Sequence, residues 1–80
     1  MNKEQLYDVF VMFKDSSRGP YRNKCAIGAE VVGLALVITQ HYQHGVGKVI
    51  YSLDEIHSCS VVPLSDEECD KVLQELEANE

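Results

Sequence analysis

Four side chains in this 80-residue sequence carry the donor atoms of a structural zinc site: His41, His44, His57 and Cys59. Zinc takes nitrogen and sulfur ligands in a closed tetrahedron, and Cys59 would follow His57 on the same face of a strand. The usual ligand spacings are missing, however, since there is neither a CxxC nor a paired Cys–His finger pattern. The competing reading makes the histidines partly exposed residues at a hairpin end and on a strand. Nucleophilic catalysis would need a cysteine (Cys25, Cys59 or Cys69) beside a histidine, with Asp54 as orienter, and no spacing enforces that. There is no catalytic carboxylate pair. The glycines of His44-Gly45-Val46-Gly47 lead from one strand into another, so they make a turn rather than a phosphate cradle, which would have to open a helix. The expectation is a non-enzymatic protein without a cofactor.

Charge offers two further candidates. Residues 14–24, KDSSRGPYRNK, hold the only basic cluster. Arg18, Tyr21, Arg22 and Lys24 could contact RNA or a phosphorylated ligand, with the tyrosine stacked on a base. Alternatively the segment is a solvated loop whose charges answer the acidic C-terminal helix. The acidic groups are concentrated: residues 1–64 hold six acidic and six basic side chains, so the net charge of −6 comes entirely from residues 65–80. Asp66, Glu67, Asp70, Glu75 and Glu77 fall on the outer face of a helix and are the candidate partner-binding set. Such a surface disfavours generic binding to DNA or to an anionic membrane, and suits a basic protein partner such as a nucleic-acid-binding complex.

The elements that must position these groups follow from periodicity. Leu34–Leu53 reads as a β-hairpin of two β-branched runs. A four-residue loop would place Gln43 opposite Lys48, Tyr42 opposite Val49, Gln40 opposite Tyr51 and Ile38 opposite Leu53. That register gathers Ile38, Tyr42, Val49, Tyr51 and Leu53 on one apolar face and leaves His41 on the other. Leu6–Lys14 is a strand apolar on both faces, hence interior to the sheet or covered by a helix. Asp15–Pro20 is a turn. Residues 25–33 read as a strand bent at Gly28 or Gly33, with a short helix over 24–32 as the alternative. Ser52 and Glu55 form a capping box for one helical turn, and His57–Leu64 is an edge strand ended by Pro63. Ser65 with Glu68 caps a second helix, Asp66–Ala78, whose stripe is Cys69, Val72, Leu73 and Leu76.

The expected fold is α+β and mostly β: a small antiparallel sheet, or an SH3- or Sm-like barrel, of about five short strands with one C-terminal amphipathic helix. It forms a single domain over 1–80, with a strand-rich body at 5–64 and the acidic helix at 65–78. The odd count of three cysteines and the lack of a signal-type N-terminus fit a reducing, cytoplasmic setting, of the cell or of an infected host. The function expected is a small acidic interaction domain, an inhibitor or adaptor of the phage or mobile-element kind, that occupies a partner's basic surface. RNA or phospho-ligand binding through 14–24 and a zinc-stabilised domain are the alternatives. Self-association through the edge at 59–62 would make a homodimer.

Overall fold

The structure, a computed structural model, describes residues 4–42 and 45–78. Five strands form one antiparallel sheet: β1 (Tyr7–Phe13), β2 (Tyr21–Val32), β3 (Ala35–Tyr42), β4 (Gly45–Ser52) and β5 (Ile56–Pro63). A 3₁₀ turn, Leu53–Glu55, precedes β5, and helix α1 spans Asp66–Ala78. The spatial order is β4-β3-β2-β1-β5, so β1 is interior, while β4 and β5 are the two edges of an open sheet.

Alternation decides what the sheet buries. Val9 and Val11 of β1, Ala26 of β2, and Leu36 and Ile38 of β3 form the main core. Tyr7, Phe13, Tyr21, Val49, Tyr51, Leu53 and Ile56 pack around it. Three aromatic rings close one end, Tyr51 lying edge-on to Phe13 at 5.1 Å and to Tyr21 at 5.6 Å. One polar side chain enters this core. Gln40 is buried, and its Oε1 accepts from the Tyr21 hydroxyl, which itself accepts from Asn23 Nδ2.

Residues 25–32 are strand, not helix, and Gly33 is the turn that follows. The register of β2 against β3 shifts between Ala26 and Gly28, a bulge where the predicted bend lay. Gly33, at φ +60°, takes the left-handed conformation needed to turn from β2 to β3. The 3₁₀ turn is capped as expected at Ser52, whose Oγ accepts the Asp54 N–H at 3.4 Å.

The hairpin forms with its apolar face as predicted but in another register. Ile38 lies opposite Val49, Gln40 opposite Gly47, Leu36 opposite Tyr51 and Thr39 opposite Lys48, and pairing continues to Tyr42 opposite Gly45. The expected partner of Gln43 lies outside the described residues. The glycines expected in the loop are strand residues instead. The Tyr42 ring lies over Gly47: a Cβ at that position would sit 2.6 Å from Tyr42 Cε2 and would displace that exposed ring. The offset from the expected pairing is an even number of residues, so each side chain kept its face.

A second, smaller core lies where α1 meets the sheet. Leu6, Leu64 and Cys69 are buried, with Ile27, Val72 and Leu73 packed against them. The helix begins as its sequence dictates, with Ser65 Oγ accepting the Glu68 N–H at 3.2 Å. Two hydrogen bonds tie down its start: Leu64, just before it, donates its N–H to Leu6 O at 2.9 Å, and the Leu6 N–H donates to the Cys69 Sγ at 3.4 Å. Among the described residues no helix is long and apolar enough to cross a membrane.

Candidate functional site

The acidic candidates stand on α1. Its buried side is Cys69, Val72 and Leu73; helical periodicity turns Glu67 away from it and sets Asp66, Glu75 and Glu77 along its margins. All four are exposed. Glu68, Lys71 and Glu75 line a small cavity with Lys24 and Val72, on the flank facing β2. Asp70 differs from the rest, being half-buried and already engaged within the molecule.

Four of the six acidic side chains of the body behave otherwise, while Glu30 and Asp54 are exposed and make no ion pair among the described residues. Asp8 takes a two-pronged contact from Arg22, with Nη2 at 2.8 Å and Nε at 3.2 Å. That hydrogen bond holds the Asp8 carboxyl below its ordinary range and raises the Arg22 guanidinium. Glu55 pairs with Arg18 at 3.6 Å, and Glu4 meets His41 Nε2 at 2.9 Å. Asp15 accepts from both the Ser17 hydroxyl and its N–H, which lowers its carboxyl too. By contrast Asp66, Glu67, Glu75 and Glu77 make no ion pair among the described residues. Of the basic groups expected to answer the helix, Arg18 is spent on Glu55 and Arg22 on Asp8, whereas Lys24 does lie beside Glu68 and Glu75.

The basic cluster does not form one surface. Only 14–20 is loop, because β2 already begins at Tyr21. Strand alternation then separates the cluster, with Tyr21 turned to the core and Arg22 and Lys24 exposed. Tyr21 is therefore not a stacking platform; its hydroxyl serves Gln40. Arg18 lies over the Phe13 ring, its guanidinium carbon 3.8 Å from the centroid, and reaches the Tyr51 ring at 5.5 Å. What the fold brings to Arg18 instead is Lys14 and His57. They share with Met12, Phe13 and Pro20 the lining of a cavity of about 370 Å³. Sequence spacing gave no hint of His57 there, since it comes from β5.

The zinc set is likewise dispersed. His41 is on β3 and bonded to Glu4, whereas His57 and Cys59 are on β5, with β2 and β1 between. His44 lies outside the described residues. Among the described residues no three histidine, cysteine or acidic side chains converge as a metal site. The cysteines are free, and they differ. Cys69 is core, as its place on the helix stripe implied. Cys59 is exposed rather than buried, because β5 is an edge. Partial burial raises the thiol of Cys25, and the Glu75 charge adds to the effect.

Comparison with protein-family models, with curated proteins and with solved structures found no match.

Proposed function

We propose that this chain is a small, acidic, non-enzymatic interaction domain, an inhibitor or adaptor of the phage or mobile-element kind. Its partner presents a basic surface of the type used to bind nucleic acid. One observation carries the reading. Glu4, Asp8 and Glu55 of the body are paired locally, while Asp66, Glu67, Glu75 and Glu77 are exposed, make no ion pair among the described residues and are gathered on one helix. Glu30 and Asp54 are also exposed and unpaired among the described residues but stand apart on the body. Exposed charges of one sign raise association rates and select partners of the other sign. The open five-stranded sheet, read as an SH3- or Sm-like barrel scaffold, would hold that helix at one end of the molecule.

The test is capture of partners from the native host on immobilised protein at low and high salt. The comparison protein carries Asp66→Asn, Glu67→Gln, Glu75→Gln and Glu77→Gln together. Partners held at low salt, released at high salt and lost by the variant are expected. Equal retention by the variant would remove the electrostatic mechanism.

The cavity beside Arg18 supports a second reading, a site for a phosphorylated ligand held by Lys14, His57 and an Arg18 that exchanges Glu55 for the phosphate, with Asp15 as the one acid in the lining. Binding of phenyl phosphate that disappears with Arg18→Ala would favour it over the first.

A further inference from the structure

We propose that β5 and the start of α1 form a single docking edge for an extended, basic segment of the partner, which adds to the sheet as a sixth strand. This rests on the interaction reading above and specifies the part of the partner that is held. The sequence of β5, IHSCSVVP, contains no Asp, Glu, Lys or Arg, and its proline comes last. Natural sheets commonly guard an edge with charge, proline or a bulge. Here the bulge against β1 falls near the first residues, between Met12 and Phe13, and the rest is unguarded. The opposite edge, β4, carries Lys48 at its middle.

Position makes the edge more open than its sequence alone would. β5 pairs only with β1, and His57 through Pro63 are exposed on both faces of the pleat. Val61 is 42% exposed although Val9, opposite it, is fully buried; Cys59 stands in the same relation to Val11. The core side of the sheet is therefore uncovered along its last row. An added strand would pair with the free backbone of β5 and lay alternate apolar side chains over Val61 and Cys59. Val62, 54% exposed beside Asp8, would meet the other face of the added strand.

Charge states what else the occupant must carry. The edge runs directly into Asp66, Glu67 and Glu68, all exposed. A strand antiparallel to β5 would begin at that end, so its basic residues precede its alternating apolar ones. Pro63 has no N–H, which ends the pairing at Val62 and leaves the preceding residues of the partner free to reach the helix. A second copy of this chain is a poorer occupant, because its own β5 has no lysine or arginine to meet the helix start.

The experiment titrates the ¹⁵N-labelled protein with a peptide of three lysines followed by three Val-Thr repeats, and measures amide exchange. Protection of β5 amides, shifts at Asp66–Glu68, and about tenfold weaker binding with Val61→Lys are expected. Amide protection in the unaltered protein is read independently of that variant, so a folding defect would not conceal the result. Shifts confined to α1 would overturn the edge and leave the charge reading standing. No binding, protection at β4, or a dimer that buries β5 without peptide would each overturn the proposal.

Discussion

Replacing Leu6 with alanine should undock α1 while leaving the sheet folded. Leu6 is fully buried, but in the small cluster with Leu64 and Cys69, apart from the main core around Val9 and Ile38. Leucine-to-alanine changes at such sites cost about 2–5 kcal/mol, through lost transfer energy and the cavity left behind. Taking about 3 kcal/mol, the ratio of docked to undocked helix falls by roughly 150-fold. An isolated helix of 13 residues is marginal in water, so the undocked segment should also melt. Far-UV circular dichroism would then lose its helical part at low urea. Near-UV signals from Tyr21 and Tyr51, which belong to the main core, would persist to higher urea. Partner binding should weaken with the first transition, because the exposed carboxylates lose their rigid spacing. Coincident transitions in both spectral regions would refute the argument, since the two clusters would then form one cooperative unit.

Two other outcomes follow from the polar contacts. Tyr21→Phe leaves the buried Gln40 without its donor and should cost about 1–2 kcal/mol in urea unfolding; adding Gln40→Met should recover part of that loss. The Asp8 carboxyl is depressed by Arg22, so its contribution is present above the ordinary carboxylate range near ~3.9 and fades as pH falls below it. Asp8→Asn should therefore flatten the acid limb of a stability-versus-pH curve, most visibly below about pH 4, and leave the limb above neutrality unchanged.

The elements were legible wherever one local signal sufficed. Ser65, Glu68 and the Cys69–Leu76 stripe specify α1 without help from the rest of the chain. The buried face of the hairpin was legible because face depends only on parity. Its register was not, because Gly45 and Gly47 resemble loop residues until the Tyr42 ring is seen to lie over Gly47. The basic cluster misled for a related reason. Consecutive residues are neighbours in sequence, yet a strand beginning at Tyr21 sends them alternately inward and outward. Which charges are already spent is a tertiary property. Arg22 meets Asp8 only because β2 pairs with β1, and His57 reaches the Arg18 cavity only because β5 lies on the other side of β1.

The placement of β1 between β2 and β5 has a consequence for biosynthesis. A chain leaving the ribosome can zip its first four strands in succession, each onto its predecessor, by short-range contacts that form fast. The outer side of β1 must wait for a segment made some fifty residues later, since Tyr7 pairs with Pro63. Until then its backbone is an open template for other nascent chains. Translation that stalls before β5 would thus release a sticky four-stranded product, whereas a stall after Pro63 would release one lacking only its acidic rod.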